Sequence, residues 1–163
     1  VRSIGEDPVG IQKTYAKLLN DCLKDKPADM TIATHMCRGN HESAWVASGG
    51  YEPVAEVAFG ELNFDGFFLE FDTDRAGDFR PLRHLNGKKI AVLGLVTSKK
   101  PQLESKDLLK RRIEEATKYV PLERLALSPQ CGFASTIGGN RLTVDDEKRK
   151  LELVVEVARE VWG

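Results

Sequence analysis

Apolar positions along the chain change period several times, and the changes mark out the elements. Ile11, Tyr15, Leu18, Leu19, Cys22 and Leu23 recur at helical spacing, which predicts an amphipathic helix with these six on its buried stripe. "MTIATHM" (30–36) then reads as a short strand buried on both faces. A Gly-rich loop, "SGGYEP", leads to Pro53, a good first-turn residue for a helix through Val54, Val57, Ala58 and Phe59. "GFFLEFD" (66–72) is a second, aromatic-rich strand, and "KKIAVLGLVTS" (88–98) a third. "SKDLLKRRIEEATKYV" (105–120) has its apolar face at Leu108, Leu109, Ile113, Ala116 and Val120. "LERLALSPQCG" (122–132) supplies a fourth strand. A long helix over 143–162 follows, with Thr143 as N-cap and acidic residues in its first turn.

Strand interiors are apolar throughout rather than alternating, and helical patterns separate them. Strands of that kind belong to a parallel sheet covered by helices. Four such strands make about half of an eight-stranded α/β barrel, which needs ~250 residues. A small open parallel sheet, complete in itself, has the same pattern. The 163 residues suffice for one domain with its own core, and no repeat or linker divides them.

Charge narrows the partners. A formal net charge of -1 gives no basic balance to recruit nucleic acid or anionic lipid. The longest apolar runs, such as "IAVLGLV", are too short to span a bilayer, and no signal-peptide pattern opens the chain. Three scattered cysteines (Cys22, Cys37 and Cys131) argue against a disulfide framework and for reduced thiols in a cytoplasmic protein. Cys22, on the first helix's apolar stripe, is expected to pack in the core.

Candidate chemistry gathers at the strand ends. His35 and Cys37 are two apart on a strand, so they point to one side. They end the first strand, at the edge where parallel α/β folds collect their functional groups. The second strand ends with Glu70 and then Asp72, the third with Thr97 and Ser98, the fourth with Cys131. Imidazole, two thiolates and a carboxylate at one sheet edge suit four-coordinate zinc, whereas magnesium and calcium prefer oxygen throughout. Asp72, Arg75 and Ser98 are candidates to contact a substrate over the site, as are Arg38 and Asp74, although loop charges commonly face water. His41 and His84 are expected to be solvated.

"THMCRGN", "FFLEFD" and "LSPQCGF", in that order and spacing, resemble the C-terminal zinc domain of cobalamin-independent methionine synthase. "GGYEPVAE" and "SPQCGFAST" are similar to its short, single-barrel relatives, and the resemblance covers nearly the whole chain. It implies the C-terminal half of a (β/α)8 barrel, completed by an N-terminal half or a partner chain. It also implies Zn2+ bound by His35, Cys37, Glu70 and Cys131, with Glu70 the ligand that loosens as substrate sulfur enters. The implied reaction is methyl transfer to the thiol of homocysteine from a methyltetrahydrofolate-type donor. A barrel taking methyl from a corrinoid protein and a non-catalytic zinc-binding half-barrel are the alternatives.

Two features depart from the family pattern. An Asp-Glu-Pro segment that helps to hold the amino-acid substrate lies, in the family, before the point where "VRSIGEDPVG" begins. A proton-handling His after the third strand is replaced by "GLVTSKK", with Thr97 and Ser98. A half-barrel on its own is expected to bind zinc without turnover, since its substrate pocket lacks a wall.

Overall fold

A computed structural model describes Gly5 and residues 7–163. In chain order the elements are α1 (Pro8–Leu23), β1 (Ala33–Met36), the two-residue strands β2 (Asn40–His41) and β3 (Ala44–Trp45), and α2 (Glu52–Ala55). β4 (Gly66–Glu70), β5 (Ile90–Val96), α3 (Lys106–Thr117), β6 (Leu125–Pro129) and α4 (Val144–Trp162) follow. α2 runs on into a π-helical turn over Glu56–Glu61, and two short 3-10 turns join β4 to β5. β1, β4, β5 and β6 form one parallel sheet in that order, while β2 and β3 make a separate antiparallel ribbon.

Phe67, Leu69, Leu93 and Leu95 sit on the sheet face that the helices cover, and all four are buried. An aromatic cluster thickens this core, with Phe59 edge-on to Phe67 and Phe71 stacked obliquely against Phe79. The opposite face is open where it carries His35 and Phe68, the latter 40% exposed. Helices on one face and an open concave side are what a barrel wall presents, not a sheet wrapped on both sides.

Caps fix where helices begin. Asp7 accepts from Val9 N and Gly10 N at the head of α1. Thr143 and Asp146 exchange side-chain-to-backbone bonds in a capping box at α4, as Thr143 led one to expect. α4 also sends Lys150, fully buried, to the Gln102 carbonyl and the Glu104 carboxylate. Glu104 in turn accepts from Thr97 N, so the last helix braces the loop after β5.

Two expectations are corrected, and one element was not foreseen. β1 is an edge strand with exposed and half-buried residues alternating, not a strand buried on both faces, because β4 alone pairs with it. The apolar stripe of α1 is not buried: Ala16 is the helix's buried residue, while Tyr15, Leu18 and Cys22 are exposed. α1 docks through Ala16, Leu23 and Asn20, the last bonding Glu61 O and Asn63 N, while Tyr15, Leu18 and Leu19 stay exposed. The ribbon β2–β3 had no apolar pattern to announce it; its turn residues Glu42 and Ser43 both take positive φ, as a two-residue primed turn requires.

Gly94 is the tightest point of the sheet. A Cβ there would lie 2.7 Å from Leu69 O and 2.9 Å from Gln130 Cα, and the β5–β6 register slips just beyond it. Gly94→Ala should therefore destabilise the fold by about 1–3 kcal/mol, read as a lowered urea midpoint. A second expectation concerns acid. Lys110 and Lys106, on α3, hold the exposed Glu160 carboxyl of α4 down to about 2. The contribution of this cluster is thus complete above the ordinary carboxylate value near 4.5 and is lost as pH falls toward about 2. Acid unfolding of Glu160→Gln should begin from a state already lacking it, and added salt should narrow the gap between the two proteins.

Candidate metal centre

Parallel pairing puts the strand ends in one row. His35 pairs with Phe68, and Glu70 pairs with Gly94, so Cys37 emerges beside Glu70 just beyond β1. Cys131 follows β6 on the other side of β5. One ligand atom each from His35, Cys37, Glu70 and Cys131 lies within 4.8 Å of all the others. The two sulfurs are 4.0 Å apart, and His35 Nε2 is 3.9 Å from Glu70 Oε1. Tetrahedral zinc, with bonds of ~2.3 Å to sulfur and ~2.0 Å to nitrogen or oxygen, sets ligand separations of about 3.3–3.8 Å. The donor set is thus slightly open around a volume the size of the ion. All three cysteines are free thiols.

Each donor is held by its surroundings. Gly39 N–H points at Cys37 Sγ from 3.2 Å, and Gly39 takes φ 80, which turns the chain sharply after the cysteine. Glu70 is fully buried. Its Oε2 accepts from Arg38 N at 3.1 Å, Arg38 Nη1 at 3.3 Å and Arg75 Nη2 at 3.3 Å. Its Oε1 accepts from Gln130 Nε2 and is the oxygen that faces His35.

Tyr51 ties this arrangement to the sheet. Its hydroxyl accepts from Glu70 N at 2.8 Å and Arg38 Nη1 at 3.1 Å, and donates to Met36 O at 3.0 Å. Burial pushes the phenol up to about 12, against the pull of the Arg38 charge, so the proton it donates is retained. The Arg38 guanidinium stacks 4.1 Å from the Tyr51 ring centre, and Arg75 sits over Trp45 of β3. The ribbon and its following loop thereby clasp both arginines, with Gly49 O and Ala47 O as further acceptors.

The substrate-contact candidates are placed differently from solvent-facing loop charges. Arg75 is buried against Glu70, and Arg38 is nearly so. Asp72 is buried 3.9 Å from Lys99 Nζ, with no hydrogen-bond partner on either carboxylate oxygen among the described residues. Ser98 is buried and donates to Gln130 Oε1 at 3.2 Å. Asp74 opens a 3-10 turn, His41 is exposed, and His84 is half-buried. Burial is also what lowers the Lys99 ammonium, with Asp72 and Glu70 opposing it. Sequence reasoning passed over Tyr51, Lys99 and Gln130. Their signals were present, since Gln130 directly precedes Cys131 and Tyr51 lies in the "GGYEP" segment. A cleft of about 370 Å³ opens beside the donors, lined by His35, Phe68, Gln130, Cys131, Phe133 and Leu151 among others.

Comparison with known proteins identifies the family and the fold. Residues 13–160 match the family described as the cobalamin-independent synthase catalytic domain. Two uncharacterised Bacillus subtilis (strain 168) proteins, YxjG and YxjH, are 50% and 51% identical over 99% of this chain. A methionine synthase of Pyrococcus abyssi is 32% identical over 66% of it. A solved Listeria monocytogenes structure, a putative vitamin-B12-independent methionine synthase, superposes with a TM-score of 0.75 at 44% identity over 98% of the chain. A Shewanella sp. B12-independent methionine synthase, solved in complex with selenomethionine, has the same fold (TM-score 0.71, 18% identity, 90% of the chain). The chain spans about two-fifths of these longer proteins, 43% of the Bacillus and Listeria chains and 42% of the Shewanella one. The four parallel strands with their helices are therefore half of an α/β barrel, not a small open sheet complete in itself.

Tyr51→Phe tests the tie between the strand ends. It strips a buried donor and acceptor from Met36 O, Glu70 N and Arg38 at once, and should cost about 1–3 kcal/mol in urea unfolding followed by circular dichroism. An unchanged midpoint would mean that these three groups find other partners.

Proposed function

The chain belongs to the cobalamin-independent synthase catalytic-domain family, and we propose that it forms the zinc-binding side of an active site that methylates the thiol of homocysteine. The observation that carries this reading is the convergence of two cysteines, a histidine and a buried glutamate within 4.8 Å at the strand ends. The chemistry of that set selects the ion. Two sulfurs and an imidazole favour zinc and disfavour magnesium and calcium, and three ligands of one charge each offset a divalent ion. Zinc bound there would lower the pKa of a substrate thiol, so that its sulfur is nucleophilic at neutral pH.

The chain's own residues supply the rest. Gly39 N–H and the Arg38–Arg75 pair fix Cys37 and Glu70 in place. The cleft beside His35 and Cys131, walled by Phe68 and Phe133, receives the substrates. Asp72, Arg75 and Ser98 do not line this cleft; Arg75 and Ser98 act through their bonds to Glu70 and Gln130, and Asp72 through its pairing with Lys99. In the transfer the thiol gives its proton to solvent and sulfur forms the new S–C bond. The donor, of the methyltetrahydrofolate type, leaves with the electron pair of the bond it loses. Product is a thioether, methionine when homocysteine is the acceptor.

Among the described residues both outer strands of the sheet, β1 and β6, have an unpaired edge, and the sheet face is open at Phe68. We place the opposite wall of the site on further barrel strands, from the remainder of a longer protein or from a second copy. No helix among the described residues is long and apolar enough to cross a membrane. Free thiols as metal ligands suit the reducing cytoplasm, where we place the protein.

Elemental analysis should find one equivalent of zinc, and Cys37→Ser and Cys131→Ser should each reduce it to background. Protein purified under reducing conditions with no bound metal would overturn the reading. X-ray absorption at the zinc edge should then register one more sulfur ligand when homocysteine is added, and an unchanged edge would remove homocysteine as the acceptor.

A further inference from the structure

Gln130 bridges two strands that do not touch. It follows β6, yet its side chain contacts Glu70 on β4, with β5 lying between them. The span is open because the β5 residue in register with Glu70 is Gly94, whose missing Cβ would sit 2.9 Å from Gln130 Cα. Gln130 N donates to Val96 O at 2.7 Å, fixing its backbone to the end of β5. The side chain is 1% exposed and has partners at both ends. Its Nε2 donates to Glu70 Oε1, while its Oε1 accepts from Ser98 Oγ and Lys99 Nζ.

That pattern permits one amide orientation. Rotated by half a turn, the carbonyl oxygen would face the Glu70 carboxylate, and the NH2 would face an ammonium group. Lys99 and Ser98 therefore determine that Gln130 presents a donor to Glu70. Lys99 itself is buried and paired with Asp72 at 3.9 Å, so the constraint runs from Asp72 through Lys99 and Gln130 to Glu70. The donor falls on Oε1, the oxygen facing His35, whereas Arg38 and Arg75 take Oε2.

We propose that Gln130 is a positioning residue for the metal: oriented by Lys99 and Ser98 and reaching over Gly94, it aims Glu70 Oε1 at the site. This rests on the zinc reading above. A hydrogen-bonded carboxylate ligand presents one oxygen without the freedom to rotate away, and loss of such a partner typically weakens metal binding ~10–100-fold. Arg38 and Arg75 anchor the far oxygen and cannot set the twist of the carboxylate about its own axis; Gln130 does.

Zinc affinity, measured by chelator competition on the purified full chain, is the test. Gln130→Glu keeps size and retains an acceptor for Lys99 and Ser98 but turns an oxygen toward Glu70. Gln130→Leu removes both ends. Both should weaken zinc binding ~10–100-fold and alter the visible spectrum of the cobalt-substituted protein. Lys99→Met touches no metal ligand and should weaken zinc by a smaller factor, about 3–10-fold, because the amide is then free to rotate. Circular dichroism accompanies each variant; if Gln130→Leu does not fold, Gln130→Glu and Lys99→Met decide. Zinc affinity within twofold of wild type in the folded Gln130 variants, with an unchanged cobalt spectrum, would overturn the proposal. Wild-type protein that takes up no zinc overturns the metal reading itself, a result distinguishable from the first.

Discussion

A carboxylate with no exposed surface is the constraint around which this molecule is arranged. Glu70 ends a central strand, and an ionised group buried there without partners would cost many times the net stability of a domain this size. Its cost is offset by donors drawn from three separate segments, Arg38 beyond β1, Arg75 in the 3-10 turn after β4, and Gln130 after β6, while Tyr51 before α2 accepts from the Glu70 backbone N–H and from Arg38. Satisfying one acid therefore fixes the path of most loops at this end of the sheet. The β2–β3 ribbon has the same origin, for Trp45, Ala47 and Gly49 are what hold the two arginines inward.

Charge follows the same logic outward. With a divalent ion bound, two cysteinates and Glu70 would supply three negative charges and leave the site one unit negative. Arg38, Arg75 and Lys99 are buried around it, with Asp72 opposing Lys99. In a low-dielectric interior such fixed cations act strongly over short distances, since water does not screen them. They hold an anionic donor set together without being ligands themselves. The braces that carry Lys99 reach far into the fold, through Thr97, Glu104 and Lys150 to the last helix.

The donor set was legible because strands impose a simple geometry. Residues two apart share a face, and parallel strands align their ends, so "HMC", "LEF" and "PQC" could be placed at one edge from sequence alone. The Thr143 cap and the buried run of β5 were legible from local pattern as well. The partners of Glu70 were not. They are scattered from Arg38 to Gln130, and nothing in local periodicity says that a loop arginine turns inward instead of facing water. The misread stripe of α1 has a different cause. Apolar spacing predicts which side of a helix wants cover, but the cover must come from elsewhere, and Tyr15, Leu18 and Leu19 stay exposed.

The unevenness of support among the four donors now has a structural reading. Glu70 is locked from several sides, and Cys37 by its own turn, whereas His35 lies on a four-residue edge strand with its side chain 36% exposed. An edge strand holds its residues through one neighbour only, so its backbone is the first part of a sheet to fray. The imidazole is thus the donor whose position depends most on whatever pairs with the free side of β1. A strand added there would extend the wall of the barrel and brace the His35 imidazole in the same step, since the residue that needs bracing is carried by the strand that needs a partner. Barrel closure and the placing of the His35 imidazole are in this way one energetic problem, coupled through β1.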